Sequence, residues 1–139
     1  MSENSIQAVS EAMARAVDGQ RPFSLYVRGL GCFPHPARPR VLWMGIDDPT
    51  RILQSIYRQL AEALSPLGFP PDHQSFRPHL TLARRRRQID KAALQVLLNA
   101  YQSSPFGVIA VDQLHLYHSQ LHRNGATHVI IKSVGLSSN

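Results

Sequence analysis

The chain has 139 residues, of which 43% are hydrophobic and 17% are charged, and its formal net charge is +6. This composition excludes a disordered chain and predicts a single domain over residues 1–139 with a sizeable core. Arginine supplies most of the positive charge, with thirteen Arg against two Lys, which favours an anionic partner such as RNA or a nucleotide. Charge alone fits a basic protein without a nucleic-acid partner equally well.

The first half of the chain predicts a helix, a β-hairpin and a second helix. Apolar spacing predicts an amphipathic helix over residues 5–17. Alternation over 22–32 predicts a strand that Gly29, Gly31 and the run Pro34-His35-Pro36 break, and 41–46 is expected to be its hairpin partner. Asp48 is a suitable N-cap with Pro49 at the first helical position, so the second helix is expected to begin there.

The second half predicts a short strand, a third helix and two further strands. The strand covers 77–84, the helix about 89–101, and the last two strands 106–118 and 127–134. The residues expected on the buried face of this third helix are Ala92, Ala93, Val96, Leu97 and Tyr101. The resulting order, α-β-β-α-β-α-β-β, predicts an α+β fold with largely antiparallel sheet and helices packed outside it.

The cysteine content and the amino-terminal residues indicate the compartment of the cell in which the protein is expected. Cys32 is the only cysteine, so an intramolecular disulfide and a cysteine-based zinc site are excluded, and it is expected to be a small buried hydrophobe. Residues 1–20 lack the apolar segment of a signal peptide, and no stretch approaches the ~18 apolar residues of a membrane span. We therefore expect a cytoplasmic protein.

The predicted strand over 77–84 carries the most informative motif in the chain. Because side chains alternate along a strand, His79 and Thr81 share one face, and Leu80 and Leu82 share the other. The leucines are expected to bury in a core, which leaves the imidazole and the hydroxyl about 6–7 Å apart on an open surface.

Arginines flank this motif at Arg77 and Arg84. A titratable imidazole, a hydroxyl donor and guanidinium groups together suit a phosphate ester. Strict alternation would place Arg84 with the leucines, so its participation requires the strand to bend or end there. The run Arg85-Arg86-Arg87 either binds an RNA backbone or forms a solvated junction between strand and helix, and the sequence leaves both open.

The motif and its flanks resemble the two-histidine (2H) phosphoesterase superfamily. Within it, the chain is most similar to the RNA 2′,3′-cyclic phosphodiesterases, formerly called 2′-5′ RNA ligases or LigT-like proteins. The matching segments occur in the family's order and are 29–34, 38–43, 67–69, 76–84 and 116–119. The resemblance implies a bilobal fold with two His-x-Thr/Ser motifs that face each other across a groove.

The same resemblance implies a mechanism without metal or other cofactor. One histidine acts as general base on water, the other protonates the leaving ribose oxygen, and the threonines donate to the phosphate oxygens. Matched residue by residue, His79 and Thr81 are the expected catalytic residues, with Thr81, Arg84 and Arg77 binding phosphate. Trp43 is expected in the core.

This chain contains only one of the two motifs, and the first would fall before Met1, so the first lobe is expected to be incomplete. A second acid/base group would have to come from another histidine, such as His115 or His128, or from His79 of a second copy in a symmetric homodimer. Two alternatives stay open. One is a phosphate- or RNA-binding module that is catalytically impaired, and the other is a fragment of a full-length enzyme.

Overall fold

The computed structural model describes residues 2–72, 75–85 and 90–137. It confirms the α+β class, with antiparallel strand pairing. The elements are α1 (Glu3–Ala16), β1 (Phe23–His35), β2 (Arg38–Asp47), α2 (Ile52–Leu64), β3 (His79–Arg84), α3 (Lys91–Ala100), β4 (Pro105–Val111), β5 (Gln113–His122) and β6 (Gly125–Gly135). None of the helices in these ranges is long and apolar enough to cross a bilayer.

The chain divides into two compact units. The first, here called the hairpin unit, comprises Met1–Phe23, Arg51–Ser75 and Ala110–Asn139. The second, the sheet unit, comprises Ser24–Thr50 and Phe76–Ile109. The expected single domain over 1–139 stays a prediction.

In the hairpin unit, α1 packs against α2 and β6. The Ser2 hydroxyl caps α1 by accepting a hydrogen bond from the Ser5 backbone N–H. This contact satisfies one of the N–H groups in the first turn that have no partner within the helix. The core is a cluster in which Val17, Ile56 and Leu136 are buried together, with partly buried apolar side chains around them. The antiparallel pair β5–β6 forms a separate two-stranded sheet.

The sheet unit consists of a four-stranded sheet in the order β3-β2-β1-β4 and of helix α3. Leu94 and Leu98 of α3 are buried with Cys32 of β1, and Leu30 and Leu42 pack against them. Helix α3 therefore covers one face of the sheet at β1 and β2. The Asp90 side chain caps this helix by accepting from the N–H groups of Ala92 and Ala93.

Three sequence expectations about element ends are wrong. Helix α2 begins at Ile52 and not at the predicted cap Asp48, because Arg51 has a left-handed backbone with φ 59°, which a helix cannot continue through. Strand β1 runs on to His35 through the glycines and Pro34, aided by a register irregularity between Val27 and Leu30. The predicted strand 106–118 is two strands, β4 and β5, in different sheets.

The predicted buried face of α3 is also wrong. Val96 is 69% exposed, Leu97 38% and Tyr101 42%, whereas Leu94 and Leu98 are buried. Apolar residues occur on nearly every side of this short helix, so periodicity alone does not define the face that meets the sheet.

Cys32 is buried, as predicted, and burial raises the pKa of its thiol. Since a raised pKa leaves less thiolate at neutral pH, we expect Cys32 to react slowly with thiol reagents in the native chain and rapidly in denaturant. Absorbance with a disulfide reagent measures both rates. Equal rates in buffer and in urea would contradict this prediction.

Candidate active site

Strand β3 lies at one edge of the four-stranded sheet, and the side chains of His79 and Thr81 are exposed on it. The expectation that the two leucines of this strand are buried is wrong, because Leu80 is 40% exposed and Leu82 is 48% exposed. The buried side chains of α3 pack against β1 and β2, so this helix core does not reach the edge strand.

The register between β2 and β3 determines which side chains of β3 share a face. Opposite residues in an antiparallel ladder project to the same side. The pairs are Gly45–His79, Met44–Leu80, Trp43–Thr81, Leu42–Ala83 and Val41–Arg84, with an irregularity between Leu42 and Trp43. This irregularity is a β-bulge with one extra residue, Leu82, in β3.

The bulge explains how Arg84 can share a face with His79, although strict alternation along β3 would place it with the leucines. Since Val41 and Trp43 are two apart in β2, their partners Arg84 and Thr81 project to the same side of the sheet. His79, two residues before Thr81, projects there as well. The structure therefore places an imidazole, a hydroxyl and a guanidinium group along one face of the edge strand.

A hydrogen bond fixes the orientation of the His79 ring. Its Nδ1 lies 2.7 Å from the backbone oxygen of Arg77. A carbonyl oxygen only accepts, so Nδ1 carries a proton, and in the neutral ring Nε2 holds the lone pair. This is the tautomer that a general base at Nε2 requires. Arg77 itself is exposed, and its backbone contributes this contact.

Two aromatic rings of the neighbouring strands flank His79, and the sequence did not single them out as part of the site. The imidazole meets Phe33 edge-on at 5.0 Å between centroids, and the Trp43 ring lies 5.0 Å from Phe33 and 6.3 Å from His79. Trp43, predicted as core, is half-buried. Its indole lies across Gly31, where a Cβ would overlap the ring.

The packing of Phe33, Trp43 and His79, here called the aromatic group, depends on the register of the β1–β2 hairpin. That register is the signal in the sequence that could have revealed it. Gly31 faces Trp43 directly across β1 and β2, and Trp43 in turn faces Thr81 across β2 and β3. A glycine opposite a tryptophan leaves room for the indole to lie flat over the neighbouring strand.

The other candidate residues belong to the hairpin unit or lie outside the described ranges. Arg86 and Arg87 fall among residues that the structure does not describe. His115 and His128 belong to the hairpin unit, where each Nδ1 is bonded to a serine hydroxyl, at 2.8 Å to Ser133 and 2.7 Å to Ser119. Over the described ranges, no group of three or more His, Cys, Asp or Glu side chains is placed to hold a metal ion.

Comparison with known proteins gives consistent matches. The sequence model of the 2′-5′ RNA ligase superfamily matches residues 1–123. The RNA 2′,3′-cyclic phosphodiesterase of Aeropyrum pernix is 35% identical over 116 residues, which are 84% of this chain and 66% of that protein. The chain therefore spans just under two thirds of this curated relative.

Two crystal structures resemble the fold. One is TT0787 of Thermus thermophilus, with a TM-score of 0.73 and 23% identity over 98% of this chain and 72% of that one. The other is E. coli LigT complexed with 3′-AMP, with a TM-score of 0.71 and 24% identity over 99% of this chain and 71% of that one. These likenesses confirm the LigT-like fold class that the sequence predicted.

Proposed function

The chain belongs to the 2′-5′ RNA ligase superfamily, and we propose that it hydrolyses RNA 2′,3′-cyclic phosphates at the sheet face that carries His79. One observation carries the proposal. His79, Thr81 and Arg84 project to one side of an exposed edge strand, with the His79 ring held so that Nε2 is available. The relative from Aeropyrum pernix is named for this reaction.

In the proposed reaction, a water molecule attacks phosphorus, and the bond from phosphorus to one ribose oxygen breaks. One proton leaves the water and one reaches the ribose oxygen, so the ring opens to a phosphomonoester. Nε2 of His79 would serve one of these two proton transfers. The Thr81 hydroxyl and the Arg84 guanidinium would bind the nonbridging oxygens, and Arg77 would add positive charge. No step requires a metal or other cofactor.

The second proton transfer requires an acid/base group on the far side of phosphorus. We propose that His79 of a second copy supplies it, in a symmetric homodimer. The exposed edge of β3 and the exposure of Leu80 and Leu82 support this arrangement, since unpaired edges and apolar side chains favour association.

A substrate made of RNA also favours the cytoplasm as the place of action.

The proposal is tested by following hydrolysis of a 2′,3′-cyclic nucleotide with EDTA present, together with the NMR signals of the His79 ring. We expect a phosphomonoester product and a shift of the His79 signals on titration with 3′-AMP, because the ring would contact the phosphate. A 3′,5′-cyclic nucleotide serves as the control substrate. Binding without turnover would favour the impaired binding module, and unmoved His79 signals would overturn the site.

A further inference from the structure

A second cationic site lies at the end of the sheet away from His79. It is a cavity of about 450 Å³ lined by Pro34, Ala37, Arg38, Arg40, Arg85 and Lys91. The four cations come from β2, from the residue after β3 and from the first residue of α3. We call this cavity the basic pocket.

No described residue with a carboxylate lines the basic pocket. The nearest acidic residue in sequence is Asp90, and its Oδ1 already accepts from the N–H groups of Ala92 and Ala93, at 3.0 and 3.1 Å. Within the described ranges, none of the four cations forms an ion pair. Four like charges around one cavity repel each other, and a bound anion would relieve that repulsion.

Backbone contacts hold the basic pocket in shape. The Arg85 N–H donates to the Arg40 oxygen at 2.7 Å, which ties the end of β3 to β2. The Ala37 N–H donates to Nδ1 of His35 at 3.0 Å, which braces the turn between β1 and β2. The cations therefore project from backbone segments that are already fixed, so less ordering is required on binding.

The basic pocket lies within reach of an RNA strand that is bound at His79. His79 pairs with Gly45 and Arg85 bonds to Arg40, so the two positions are five β2 residues apart, or about 17 Å. A stacked strand advances about 3.4 Å per nucleotide, so about five nucleotides span this distance. A cyclic mononucleotide at His79 would not reach it.

We infer that the basic pocket binds backbone phosphates of the RNA strand on the 5′ side of the terminal cyclic phosphate. This inference rests on the proposed function, because a 2′,3′-cyclic phosphate ends a strand and leaves the remaining nucleotides on that side only. The RNA would run along the edge strand β3, with Arg84 on the same face as His79 and Arg85 at the basic pocket. The chain would then prefer an oligonucleotide to a mononucleotide.

The test compares the double variant Arg40→Gln/Lys91→Gln with the wild type. The matched control is Arg58→Gln/Lys132→Gln, which removes two exposed cations of the hairpin unit and changes the net charge equally. Filter binding measures affinity for an RNA of about ten nucleotides that ends in a 2′,3′-cyclic phosphate, over a range of salt. Inorganic triphosphate and cyclic AMP with a 2′,3′ linkage are tested alongside it.

We expect the pocket variant to bind the RNA about ten-fold more weakly at low salt and to lower the salt slope by about 1.4, for two lost phosphate contacts on a single strand. Its binding of the cyclic mononucleotide should not change. Equal losses in the control variant, or triphosphate binding as tight as that of the RNA, would overturn the inference. Because the readout is binding, wild-type chain that binds the RNA without opening its terminal cyclic phosphate would refute the proposed function alone.

Discussion

Replacing His79 by alanine should lower the rate of cyclic phosphate hydrolysis by about 10²–10⁴-fold, or about 3–5 kcal/mol in the activation barrier. The loss follows because the variant removes the group whose Nε2 is held ready by the contact between Nδ1 and the Arg77 oxygen. Initial rates with a 2′,3′-cyclic nucleotide measure it. His79→Asn should lose as much, since an amide can replace the hydrogen bond but cannot take the proton.

His118→Ala is the matched control, because His118 is an exposed strand histidine of the hairpin unit. It should leave the rate near that of the wild type. A His79→Ala rate within a few-fold of wild type would contradict the role of His79.

Equal mixing of wild-type and His79→Ala chains tests the homodimer. Random pairing leaves about a quarter of the wild-type activity if both copies contribute to one site, and about half if each copy acts alone.

Replacing Gly29 by alanine should lower the free energy of unfolding by about 2–4 kcal/mol. Gly29 has φ 78°, a left-handed conformation that disfavours a side chain, and an added Cβ would lie 2.6 Å from the backbone oxygen of Gln102. Its N–H also donates to the Ser104 oxygen at 2.9 Å, so the strand cannot move away without loss. Urea unfolding followed by circular dichroism measures the change.

Gly19→Ala separates the two causes. Gly19 has φ 72°, but a Cβ there would meet no atom within 4 Å. It should therefore lose only the conformational part, about 1–2 kcal/mol. If both variants lost the same free energy, the close approach of Gln102 to Gly29 would not contribute to stability.

Much of the fold was predictable because local patterns determine it. The apolar stripe over 5–17 predicts α1 to within two residues, and alternation predicts the β1–β2 hairpin. Features set by a neighbouring element were not predictable. The exposed Val96 depends on which side of α3 meets the sheet, and the late start of α2 depends on the backbone of Arg51.

The candidate site divides in the same way. Alternation alone puts His79 and Thr81 on one exposed face, whereas Arg84 joins them only through the bulge at Leu82, which is defined by the ladder with β2. Phe33 and Trp43 come from other strands, so no local pattern links them to the motif. Family resemblance supplied the proposed chemistry, which residue types alone restrict only to a phosphate ester.

The aromatic group has a practical consequence for experiments on this chain. Trp43 is the only tryptophan in the sequence, and its ring lies 6.3 Å from that of His79. All indole emission therefore originates beside the candidate site. An arriving nucleotide would alter the quenching of that single fluorophore, which provides a label-free optical reporter built into the native chain.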